Sequence, residues 1–158
     1  MSRFVAIRPI GDDRFSVEMP QDLRRFLGDL AAELDPALES DAPALRRLFP
    51  TAYPDDPERD AGYQVLARSE LVDGHREAIA TLRATSDDTE IAADTLEAWM
   101  RVVNSVRLVL GTQLDVSEDD DPSEIDPDDP HAGTREIYEL LGLILDIIVS
   151  AMMSTLDD

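Results

Sequence analysis

The chain has 158 residues, 43% of them apolar, no cysteine and a formal net charge of −21. That length suits a single domain burying about 70% of its unfolded surface, enough for a core without disulfides or structural metals. The absence of cysteine excludes thiolate catalysis, zinc–thiolate sites and thiol redox switching. The charge opposes direct binding to nucleic acid and to anionic membranes, both of which recruit basic residues.

The first residues, Met1-Ser2-Arg3-Phe4, lead into no apolar signal-peptide run, so a cytoplasmic location is expected. Residues 4–10 and 14–19 are short apolar-rich runs around Gly11-Asp12-Asp13, the pattern of a β-hairpin. Phe15, Val17 and Met19 alternate with Arg14, Ser16 and Glu18, so one face should be buried. A lone hairpin must pack on helices. Pro20 then suits the first turn of a helix, in which Leu23, Phe26, Leu27, Leu30 and Leu34 keep helical spacing. Asp35-Pro36 should end it. A short helix is predicted over 43–49, capped by Asp41 or Ser40. Pro50 and Pro54 frame a turn containing Tyr53.

Asp56-Pro57 has the form of an N-cap followed by proline at the first helical position. The helix it opens should run to about Arg83, with Ser69 marking the place for a break. Residues 87–89 read as a loop, and 93–114 as a strongly periodic helix. Residues 115–130 hold nine acidic side chains and read as a flexible acidic loop. The last helix, 134–154, has a narrow polar strip of Glu136, Glu139, Asp146 and Ser150. Its apolar remainder covers roughly two-thirds of the wheel, which places such a helix at the centre of its own domain or in a homodimer interface. The central position is the expectation. Its longest apolar run, 140–153, is interrupted by Asp146 and is too short to span a bilayer. The predicted fold is mainly α: five to six helices around an apolar C-terminal helix, with one N-terminal β-hairpin. The expected layout is a single domain: hairpin 1–19, helical core 20–114, acidic loop 115–130 and C-terminal helix 131–158.

Catalytic material is scarce. All seven glycines are isolated, so no phosphate-cradling loop is present, and no Gly-x-Ser-x-Gly elbow occurs. His75, flanked by Asp73, Arg76 and Glu77, reads as a surface histidine, and His131 reads likewise. There is no Glu-x-x-His pair for a di-metal bundle site, and Glu136-x-x-Glu139 faces the solvated strip. The acidic loop lacks the central glycine of a calcium loop and reads as a solvated like-charge run. Arg24-Arg25 and Arg46-Arg47 are expected on polar helix faces, in local salt bridges. No cofactor and no metal are expected, and the chain reads as a non-enzyme.

One constellation is more specific. On a wheel Arg107 falls between Leu96, Val103, Leu110 and Leu114, inside the apolar stripe, with Asn104, the only asparagine, beside it. A buried arginine needs a partner, and its planar fork favours a carboxylate. Asp55 and Asp56, on a proline-fixed turn, are the candidates for a structural tie. The functional alternative is a small anionic-ligand site or enzyme centred on Arg107 and Asn104.

Leu45-Arg46-Arg47-Leu48-Phe49-Pro50, Ala52-Tyr53-Pro54-Asp55-Asp56-Pro57, Ala98-Trp99 and Asn104-x-x-Arg107-Leu108-Val109-Leu110-Gly111-Thr112 resemble an actinobacterial family of unknown function. Its genes commonly accompany that of ClpS, the adaptor of the Clp protease, and it includes AosR-like oxidative-stress transcriptional regulators acting through a sigma factor. The resemblance spans nearly the whole chain, and all 14 basic residues being arginine agrees with a GC-rich source. It implies a regulatory or adaptor role through protein contacts. The implied partner is a protein with a basic surface, such as a sigma factor, RNA polymerase or Clp machinery. Cysteine-based sensing does not carry over to a chain without cysteine.

Overall fold

A computed structural model describes residues 5–39, 48, 53–114 and 132–156. The helix predicted over 43–49 and the acidic loop 115–130 lie outside these residues, Leu48 apart. The order is β1 (Ala6–Gly11), β2 (Arg14–Glu18), α1 (Gln21–Ala37), α2 (Pro57–Thr85), β3 (Glu90–Ala92), α3 (Ala93–Gln113) and α4 (Ala132–Ser154). The fold is mainly α, with the N-terminal hairpin and the apolar C-terminal helix that the pattern predicts.

β1 and β2 pair antiparallel, with Ile7 opposite Val17 and Pro9 opposite Phe15. Asp12 and Asp13 both have positive φ, as a two-residue hairpin turn that follows the strand twist requires. Pro9 has no N–H to offer, and it sits on an edge strand of the sheet. The alternation in β2 buries Phe15 and Val17. β3, a strand that no sequence pattern announces, adds to the other edge of β2 with Ile91 opposite Phe15.

α1 buries Leu23, Leu27, Ala31 and Leu34, one face at helical spacing. It continues through Pro36 to Ala37, two residues past the expected end, because a proline in the last turn gives up few backbone bonds. α2 begins as predicted, with Asp56 Oδ1 accepting from the Arg59 amide at 3.1 Å and Pro57 at the first position. It runs unbroken through Ser69. α3 turns Leu96, Trp99, Val102, Val103 and Val106 into the core. α4 buries Leu141, Ile144, Ile148 and Ala151 and packs on α3 and β1. Glu136, Glu139, Asp146 and Ser150 face outward as expected, but Leu143 and Met153 share that strip at 50% and 59% exposure. The run 140–153 is too short to span a bilayer, but the whole helix, at 23 residues, is long and apolar enough to cross one by length and composition.

Arg24 is the main correction to the sequence reading. It is not on a polar face in a salt bridge but is buried, at 5% exposure. Its Nε donates to the Met19 carbonyl at 3.1 Å, Nη1 to the Ser86 and Asp88 carbonyls at 2.8 Å each, and Nη2 to the Val17 carbonyl at 3.0 Å. Ser86 is the C-cap of α2, so the cation sits at the negative end of that helix. One side chain thus joins β2, the start of α1 and the α2–β3 turn. Nearby, Trp99 donates from Nε1 to Thr85 Oγ at 2.8 Å, and Thr85 donates to the Thr81 carbonyl. Arg24→Met keeps the apolar stem but strips four carbonyls of their donor. It should cost about 3 kcal/mol in urea unfolding, whereas Arg25→Met, at an exposed position, should stay within about 0.5 kcal/mol.

Candidate interhelical cleft

α2 and α4 both pack on α3 and scarcely touch each other. The separation opens a cleft of about 860 Å³ along α3, between the other two helices. α2 supplies Gly74, Glu77, Ala78 and Thr81 at helical spacing, and α4 supplies Leu145 and Val149. Asp94, Glu97, Arg101 and Asn104 line the cleft from α3. At 100° per residue they lie on the face opposite Trp99, Val103 and Val106. Thr95, Ala98 and Met100 complete the lining. The small side chains keep the floor low. Glu77, Asp94, Glu97, Arg101 and Asn104 are exposed at the rim.

Arg101 lies across Gly74, where a Cβ would stand 2.8 Å from Nη2. Beneath it is a second correction to the sequence reading. His75 is not on the surface but 8% exposed, and its Nδ1 lies 3.3 Å from Ser105 Oγ in a buried hydrogen bond between α2 and α3. His75 is i+3 from Val72 and i+4 before Ile79, both buried, so register rather than polarity decides its place.

The predicted constellation of Asn104, Arg107, Asp55 and Asp56 is not brought together. Asn104 faces the cleft. Arg107, one turn on, points to α4, where its guanidinium stacks on Tyr138 at 4.5 Å from the ring centroid. Its Nε is buried and donates to no group among the described residues. Arg107 is half-buried at the edge of the stripe rather than within it. Gly142 leaves room for the stack, since a Cβ there would come within 3.1 Å of Nε. Among the described residues no ion pair joins Arg107 to a carboxylate. Asp56 caps α2 and Asp55 is exposed beside it. At 1.5 Å per residue, Asp56 lies about 28 Å along α2 from His75, whereas Arg107 is two residues from the Ser105 that His75 bonds. The aromatic face takes the role expected of a carboxylate.

Other arginines have local duties. Arg76 bridges α2 to α1, with Nε 3.0 Å from Asp35 and Nη2 2.9 Å from Glu39, and hydrogen bonds to those carboxylates raise its pKa. Arg59 stacks on Tyr53 at 4.4 Å. Arg25 and Arg83 line a smaller cleft of about 360 Å³ with Asp29 and Asp87. Arg46 and Arg47 lie outside the described residues. Among the described residues no group of three or more His, Asp or Glu side chains is placed to hold a metal.

Fold and cleft together define a mainly helical acidic domain with an open groove between three helices. The chain belongs to DUF2017, a family named for a domain of unknown function, whose model matches residues 4–152. It is similar to the oxidative stress regulator AosR of Mycobacterium tuberculosis (strain ATCC 25618 / H37Rv), with 27% identity over 161 residues, 91% of this chain and 72% of that protein. The AosR of Mycobacterium bovis matches to the same extent. An AosR of Mycobacterium leprae is 28% identical over 130 residues, covering 72% of this chain, which spans 59% of that relative. No solved structure matches the chain.

Burial holds the His75 pKa below 6.5, and the Arg101 charge lowers it further. Below pH 6.5 the unfolded chain takes up a proton that the folded chain resists. The stability His75 contributes is therefore full above that pH and is lost as pH falls through the lowered value. Measured from about pH 7.5 to about 5.5, the urea midpoint of the wild type should drop relative to that of His75→Gln, the carboxylate titrations being common to both.

Proposed function

We propose that this protein is a non-enzymatic regulator that acts through contacts with a basic protein partner, in transcriptional control under oxidative stress. The observation that carries the reading is the likeness, over 91% of the chain, to proteins named oxidative stress regulator AosR. The charge supports the route. A chain of net −21 is repelled by DNA, so influence on transcription runs through a protein that holds the DNA, a sigma factor or RNA polymerase. Without cysteine the chain cannot detect an oxidant through a thiol of its own. The family resemblance also supports a second form of the same role, an adaptor beside Clp proteolysis in the cytoplasm.

Affinity purification of the tagged chain from an actinobacterial extract tests this. At about 50 mM salt it should recover a sigma factor or RNA polymerase subunit, and about 0.5 M salt should release most of it. Recovery of Clp components alone would replace the transcriptional form with the adaptor form. Recovery of neither would overturn both.

A further inference from the structure

We propose that the cleft between α2, α3 and α4 is the docking groove for one basic amphipathic helix of a partner protein. This rests on the regulatory reading above and assigns it a place and a recognition chemistry. Three observations carry it. First, among the described residues α2 and α4 flank α3 and scarcely touch each other, which leaves α3 open there where a further helix would complete the packing. Second, the size fits. A helix occupies about 120 Å³ per residue as a cylinder of about 5 Å radius and 1.5 Å rise, so 860 Å³ accepts about two turns. Beyond Gly74, which the Arg101 guanidinium covers, the floor of Ala78 and Ala98 permits close approach, and Leu145 and Val149 offer an apolar wall.

Third, the charge selects the occupant. Glu77, Asp94 and Glu97 are exposed at the rim against the single cation Arg101. An anionic metabolite meets net negative charge there, and so does nucleic acid. A second copy of the chain meets it too, because the exposed strip of α4 carries Glu136, Glu139 and Asp146 and each copy carries −21. A helix with small or aliphatic residues on one face and arginine or lysine on its flanks satisfies both floor and rim. Asn104 is placed to hydrogen-bond across the groove.

The test uses a fluorescein-labelled helical peptide of about 16 residues, with an alanine–leucine stripe flanked by arginines, and a twin with glutamate replacing arginine. Fluorescence anisotropy follows titration with the full chain. The cationic peptide should bind and the anionic twin should not. The double variant Glu77→Arg with Glu97→Arg should weaken binding about tenfold or more, and Ala98→Trp, which fills the floor, should do the same. A control reversing Glu18 on the hairpin and Glu90 on the adjoining β3 changes net charge equally and should cost less than about threefold. Asp94 is left intact because its carboxylate also supports the start of α3. Equal losses in the rim and sheet variants would mean diffuse attraction and overturn the proposal. Undiminished binding by Ala98→Trp would overturn it as well. If Ala98→Trp fails to fold, the comparison of rim and sheet variants decides. Light scattering that showed a dimer broken by the rim reversal would assign the groove to a second copy and overturn the proposal too. If the rim variant still captures the wild type's partner from extract, the groove assignment fails while the regulatory reading stands. Specific peptide binding with no partner captured would uphold the groove and overturn the regulatory reading.

Discussion

A single buried guanidinium fixes how the layers of this protein meet. Arg24 donates to carbonyls from β2, from the β2–α1 junction and from the end of α2. A charge in that position costs several kcal/mol of desolvation unless its donors are met, and four of the five guanidinium N–H groups are. Here the compensation comes from backbone carbonyls, one of them at the negative end of α2 and one in the turn that follows, and no carboxylate among the described residues is involved. The constraint is strict because carbonyls do not rotate independently of their chain. Sheet, α1 and the C-terminus of α2 must therefore arrive together. Trp99 makes the same junction from the other side, since its indole bonds Thr85 one residue before the Ser86 cap.

With the end of α2 fixed, the course of the rest of it is set. α2 lies along α3, where His75 and Ser105 pair and Arg101 lies over Gly74. α4 approaches α3 from the other flank. The cleft is the space left between two helices that answer to different anchors, α2 to Arg24 and α4 to β1 and Arg107. It is a consequence of packing, and small Ala78 and Ala98 leave it open beside the Arg101 guanidinium that covers Gly74.

Much of this is legible in the sequence, and the exceptions share a cause. The hairpin, the Asp56-Pro57 helix start and the α3 and α4 spans follow from alternation, capping and 3.6-residue spacing. Arg24 and His75 look exposed in the sequence because their neighbours are polar: Arg25 for one, Asp73, Arg76 and Glu77 for the other. Yet each lies in register with a buried stripe. Arg24 precedes Leu27, Ala31 and Leu34 by three, seven and ten residues, and His75 stands between Val72 and Ile79. Register is the better guide than local composition. For Arg107 the same guide overshoots, because a wheel does not say which flank of the stripe a neighbouring helix covers. β3 offers no signal, since three residues with one buried side chain cannot show a period. The cleft is illegible for a different reason: it depends on α2 and α4 scarcely touching, a relation between helices that lie far apart in sequence.

The Asn104-x-x-Arg107 block gains a physical meaning from that geometry. A spacing of three residues turns about 300° around a helix, so the two side chains lie about 60° apart. That is enough for Asn104 to face the cleft while Arg107 reaches α4. The arginine stacks on Tyr138 over Gly142, and so helps set where the α4 wall of the cleft stands. Leu145 and Val149, which form that wall, follow Tyr138 by about two and three turns on the same helix. One short block of α3 thereby contributes a polar group to the groove and the clamp that holds one side of it in position. An unpartnered Nε is tolerable in such a clamp, since the stack offsets the charge through the ring face rather than through hydrogen bonds. A carboxylate in its place would tie Arg107 more tightly but would add another anion to a chain that already carries −21.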